Sequence, residues 1–348
     1  MKDFKKKYGY TFMLLILAAI VILIFTLTKG KQFWKPTVWQ GMMVQFPEYG
    51  IMALGLMFCF ICGKMDMSFM MLADFATVMA VRYMVANVTE TTPESAVGGI
   101  LVVGILIALG IAVVGGIING ILVTQLNIPP VMATISMQMV WLGISTALTR
   151  GDTVTGLPSL YTAIGHKQLF GWLPLPMLIF IILFIICAFV LKYTVYGEKI
   201  YMIGTNEKAA KFSGIDTTAT IIKTYVLCDV LATVGALIMV STMASAKADY
   251  GTSYVTRAIL ILVLAGVLPN GGMGKIINVL ITIITIQIIA TGVNLFPELN
   301  TYYASLIWGG LLVIVLILST KMVEGQLVLF KPKNNGAPSK FRKMFRLD

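Results

Sequence analysis

From Tyr10 to Leu27 the chain runs without one charged side chain, and such runs recur to its far end. A helix needs about 20 apolar residues to cross the roughly 30 Å of bilayer hydrocarbon. Apolar runs at 10–27, 48–62, 68–86, 96–124, 131–149, 174–191, 221–244, 254–268, 276–296 and 302–320 predict an all-α, polytopic membrane protein with about ten transmembrane helices. The run 48–62 is short, and Pro36 to Phe46 before it reads as a broken or re-entrant extension. Hydrophobic residues make up 58% of the chain and charged residues 12%, against roughly 25% charged in soluble proteins. So little polar surface cannot coat a soluble fold. Disordered, collagen-like, disulfide-scaffold and nucleic-acid-binding classes are excluded with it.

The net charge of +11 is membrane topology rather than a nucleic-acid footprint, because Lys and Arg gather at the ends of the apolar runs. With both termini cytoplasmic, seventeen basic residues fall on inner segments and six on outer ones. The reverse orientation violates the positive-inside rule. The first run has no small-residue cleavage site after it, which predicts a retained anchor. The organisation expected is a single transmembrane domain over 1–320, with a long inner loop at 192–220, and a basic cytoplasmic tail at 321–348. Cys59, Cys62, Cys187 and Cys228 all lie in apolar runs and imply no disulfide framework.

Catalytic and metal chemistry find no support. The lone histidine, His166, falls in an outer loop, and Cys59-x-x-Cys62 lacks a second ligand pair. Gly271-Gly272-Met273-Gly274-Lys275 suggests a phosphate loop, but Pro269 stands where its first glycine belongs and Ile276 where Ser or Thr would hold magnesium. No catalytic residue, metal ligand or cofactor site is predicted. Polar groups inside apolar runs each ask for a reason. Asp66 follows the break Gly63-Lys64-Met65 and suits a helix cap at the inner face. Asp74 and Arg82 share a helix face, whereas Asp229 and Arg257 stay open between structure and pathway. Ser68, Asn119, Gln287 and Asn294 can hydrogen-bond a solute or a neighbouring helix. Gly116-x-x-x-Gly120 predicts close helix packing.

Four stretches together bring a family into view. Ile51–Ser68 ends in Gly63-x-x-Asp66-x-Ser68; 116–134 reads GIINGILVTQLNIPPVMAT; 148–158 reads LTRGDTVTGLP; and 196–215 reads YGEKIYMIGTNEKAAKFSGI. In order and spacing, from about residue 45 to 318, they resemble permease subunits of ABC importers for ribose and related monosaccharides. The chain departs from that pattern at 265–274, AGVLPNGGMG, which lacks the leading glycine and the Thr-Ser pair, and at Met70, where a glycine is common.

The resemblance implies a subunit of the bacterial cytoplasmic membrane that works with ABC ATPase subunits, a second permease subunit and an extracytoplasmic solute-binding protein. ATP and magnesium would bind on the ATPases, none on this chain. The solute would be a monosaccharide or related small polar molecule, with nucleosides or a furanosyl signal as alternatives. It also implies that the inner loop couples to the ATPases through Gly204, Thr205, Asn206, Glu207, Ala209, Ala210, Phe212 and Gly214. Read from its residues, Thr205 can cap a short helix over 206–213 that Gly214 ends, with Ala209, Ala210 and Phe212 as its docking surface. An ion-coupled secondary transporter using Asp66 or Asp74 is the rival reading.

Overall fold

A computed structural model describes residues 2–89, 92–169 and 171–296, with 306, 309, 310 and 313. Among them, eight helices are long and apolar enough to cross a membrane. They are α1 (Lys2–Lys29), α2 (Pro36–Ile61), α3 (Phe69–Asn87), α4 (Glu94–Thr124), α5 (Pro130–Thr149), α7 (Leu175–Tyr193), α10 (Thr217–Met243) and α12 (Ile276–Asn294). Shorter helices are α6 (Ser159–His166), α8 (Val195–Thr205), α9 (Glu207–Phe212) and α11 (Thr252–Leu264). One two-stranded hairpin pairs β1 (Gln168–Leu169) with β2 (Leu173–Pro174).

Two predicted spans take a different form. The stretch from Pro36 does not break or re-enter: it belongs to one 26-residue helix that carries Pro47 in its interior. The run at 254–268 yields only the 13 residues of α11, about 20 Å of helix. Gly266, with φ of +77°, turns the chain after it. Its apolarity serves burial in protein, since Leu260, Ile261, Leu262 and Val263 are all buried. Most of the predicted tenth span, and the basic tail at 321–348, lie outside the described residues.

The centre consists of α2, α3 and α10, which are buried on nearly all sides. Helix α4 packs against α10 at glycines: a Cβ on Gly116 would stand 2.5 Å from Val226 Cα, and one on Gly120 2.8 Å from Ile222 Cα. The small-residue stripe is therefore a helix seam. Helix α5 meets α3 with Trp141 stacked on Phe75 at 5.6 Å, and α7 meets α2 with Phe180 edge-on to Phe46 at 4.8 Å. Helix α1 is peripheral; Tyr10 donates to the Leu264 carbonyl and Thr11 to Asn278. Phe12, Leu23 and Leu27 on α1, and Ile185 and Phe189 on α7, stay exposed, as suits side chains that face lipid tails.

Candidate functional site

The loop between α7 and α10 is an ordered structure built on three side-chain caps. Thr194 accepts from the Gly197 amide at 3.2 Å to start α8, Asn206 from Ala209 at 3.0 Å to start α9, and Asp216 from Ala219 at 3.0 Å to start α10. Each supplies an acceptor to a helix-start amide that has no partner within its helix. Asn206, not Thr205, caps the short helix; Thr205 closes α8, its hydroxyl donating to the Tyr201 carbonyl at 2.9 Å. Serine, threonine and asparagine all suit a cap, so composition alone did not choose between adjacent residues.

Helix α9 ends as expected. Gly214 takes φ of +83°, its amide donates to the Lys211 carbonyl at 3.1 Å, and the Ile215 amide donates to the Ala210 carbonyl at 3.2 Å. That paired reversal needs a left-handed residue, which glycine adopts without a Cβ penalty. Of the expected docking surface, Ala209 is exposed and Phe212 is 93% exposed, but Ala210 turns inward at 3%. Six helical residues cannot place 209, 210 and 212 on one side, and packing against the core takes Ala210. A shallow groove of about 330 Å³ runs here, and Ala210 lines its floor together with Tyr201, Met202, Thr205, Asn206, Ala209 and Ser213.

Two other segments meet this loop. The Lys64 ammonium pairs with the Glu207 carboxylate at 2.7 Å. Gly204 packs so tightly that a Cβ there would overlap the Ile61 carbonyl oxygen and the Gly272 amide. The Gly272 amide donates to that Ile61 oxygen at 2.8 Å, and the Gly271 amide to Leu268 at 3.1 Å. The glycine-rich stretch thus spends two amides on protein carbonyls rather than on an anion. Tyr201 donates to the Gly274 carbonyl at 2.7 Å, and burial pushes its phenol above the usual range, which keeps it a donor.

Deeper in, α2, α3, α4 and α10 enclose a polar cluster. Asp66 Oδ1 accepts from the Ser68 amide at 2.7 Å and the Ser68 hydroxyl at 2.8 Å, and Asn119 Nδ2 donates to Ser68 at 2.8 Å. Asp66 therefore organises the turn before α3 instead of sitting at the capping position, which Ser68 occupies. Burial raises its carboxyl and the Ser68 bonds pull against that shift. Asp66, Cys228 and Asp229 bring ligand atoms within 4.8 Å of one another, so Asp229 on α10 faces this same turn. All are buried, as are Ser68 and Asn119.

The remaining polar candidates separate from this cluster. Gln287 on α12 donates to Gln45 on α2 at 3.2 Å, and Asn294 is exposed at the end of α12. Asp74 accepts from the Gly251 amide at 2.7 Å and so holds the start of α11, while Arg82 donates to the Leu148 carbonyl at 2.6 Å. Sequence reasoning passed over Glu48, Tyr49 and Tyr254. Tyr254 donates to Glu48 at 3.1 Å, and Arg257 donates to Tyr49 and lies 5.0 Å over its ring. A glutamate inside an apolar run was the available signal.

The family model described as "Branched-chain amino acid transport system / permease component" matches residues 38–316. The chain is similar to the ribose import permease protein RbsC of Bacillus subtilis (strain 168), 29% identical over 88% of this chain and 91% of that protein. It is similar to the autoinducer 2 import system permease protein LsrD of Photorhabdus laumondii, 27% identical over 90% of this chain and 91% of that protein. The D-allose transport system permease protein AlsC of Escherichia coli (strain K12) is 26% identical over 89% of this chain and 90% of that protein. No solved structure matches the chain. The match covers both the capped loop between α7 and α10 and the Asp66 turn, and the chain belongs to this family of multi-pass transport permeases of the bacterial cytoplasmic membrane.

Proposed function

We propose that the chain is the membrane subunit of an ATP-driven importer for a monosaccharide or a related small polar solute. It works with separate ABC ATPase subunits, an extracytoplasmic solute-binding protein and a second permease subunit. ATP and its magnesium stay on the ATPases. Both termini are cytoplasmic, and the apolar runs of the sequence put the crossings at about ten. Closure of the ATPases around ATP biases the spans between inward and outward openings, and the α8–α9 loop is where that bias enters. Helix α9 offers Ala209 and Phe212 to a partner groove.

The observation that supports this reading is similarity along 88% to 90% of the chain to import permeases named for ribose, autoinducer 2 and allose. The autoinducer 2 permease keeps a furanosyl signal open as the alternative solute. The test is reconstitution of the whole complex in proteoliposomes with a panel of ribose, allose, autoinducer 2 and adenosine. Uptake should need internal ATP and the binding protein together. Uptake driven by an imposed proton gradient without ATPase subunits would replace this reading with a secondary transporter.

A further inference from the structure

Three connections far apart in sequence meet beside α9. They are the turn at 62–68 between α2 and α3, the α8–α9 junction, and the stretch 265–275 between α11 and α12. Their contacts are largely backbone against backbone. Gly204 touches the Ile61 carbonyl and the Gly272 amide with no room for a Cβ. A Cβ on Gly271 would stand 2.8 Å from Gly204 Cα and 2.8 Å from the Gly63 amide. The Gly272-to-Ile61 hydrogen bond satisfies a carbonyl at the last turn of α2, which would otherwise lack a partner. Tyr201 ties α8 to Gly274, and Lys64 ties the 62–68 turn to Glu207 at the first position of α9.

Main-chain surfaces packed this closely cannot slide past one another by rotamer changes, as side-chain interfaces do. We propose that these segments form one rigid joint, with Lys64, Gly204 and Gly272 as positioning residues, which carries displacement of α9 directly into α2, α3 and α12. The inference rests on the coupling role proposed for the α8–α9 loop and extends it to a route. Lys64 stands two residues before Asp66, whose bonds to Ser68 set the start of α3. Lys275 precedes the first residue of α12. Movement of α9 therefore reaches three spans through short, stiff links. The Lys64 side chain is 17% exposed and that of Glu207 44%, so the pair is open to water on one side and acts by placement more than by strength.

The joint is tested in the full complex, with ATPase subunits, binding protein and whichever panel solute the wild-type chain carries. Lys64→Glu places like charges together and should leave the ATPases bound, while hydrolysis stimulated by the loaded binding protein falls about fivefold or more. Lys64→Arg keeps the charge and should retain stimulation. In a background without native cysteines, Lys64→Cys with Glu207→Cys, bridged by a short bifunctional thiol reagent, should transport as well as the same pair unbridged, because the joint does not open. Wild-type stimulation in Lys64→Glu, or loss of uptake on bridging, overturns the joint. If the unaltered chain fails to hold its ATPases, the coupling role itself falls.

Discussion

Phe212 is the side chain on which the docking argument turns. It is 93% exposed at the last residue of α9, so Phe212→Ala removes almost no internal contact. A surface change of that kind alters stability by about 0.5 kcal/mol or less. If a partner groove buries the ring, its loss costs about 1.5–3 kcal/mol of association, or roughly a 10- to 100-fold weaker ATPase affinity at 1.4 kcal/mol per decade. The assay compares two readings on one purified variant: thermal unfolding of the permease, and ATPase subunits retained across a dilution series. Unfolding should match wild type while retention shifts to higher concentration by that factor. Equal retention at every dilution, with stability unchanged, refutes the assignment of α9 as the docking element.

Three further outcomes follow from the packing and topology. Gly116→Leu should abolish accumulation of folded protein, because any Cβ there meets the Val226 backbone, whereas Gly110→Leu, with nothing within 4 Å, should accumulate normally on membrane immunoblots. Asp66→Asn keeps an acceptor for the Ser68 amide and should retain uptake; Asp66→Leu orphans that buried amide, at a cost of about 1–3 kcal/mol read as a lower unfolding temperature. With native cysteines removed, cysteine at Lys208 should be shielded from impermeant thiol reagents in intact cells while cysteine at Thr155 labels, and the opposite pattern would reverse the orientation.

The sequence alone determined the class of fold and the end of α9, because each rests on local chemistry. Unbroken apolar runs answer to bilayer thickness. Gly214 answers to the left-handed turn its position requires. The seam at Gly116 and Gly120 was legible for the same reason: small residues at helical spacing have one common use in lipid.

Tertiary structure decided the rest, and each time because a distant segment set the outcome. The stretch Pro36 to Phe46 reads as a broken or re-entrant extension, yet α2 runs through it and through Pro47 as one continuous helix. The run at 254–268 has the hydropathy of a span, but hydropathy does not distinguish burial in protein from burial in lipid, and α11 is buried in protein. Ala210 passed for docking surface until the core took it. No spacing rule connects Ile61, Gly204 and Gly272, or Lys64 and Glu207; each pair is separated by at least three helices and meets only because those helices return the chain to the same place. Local preference is written residue by residue, whereas a contact between backbones exists only once the whole chain has packed.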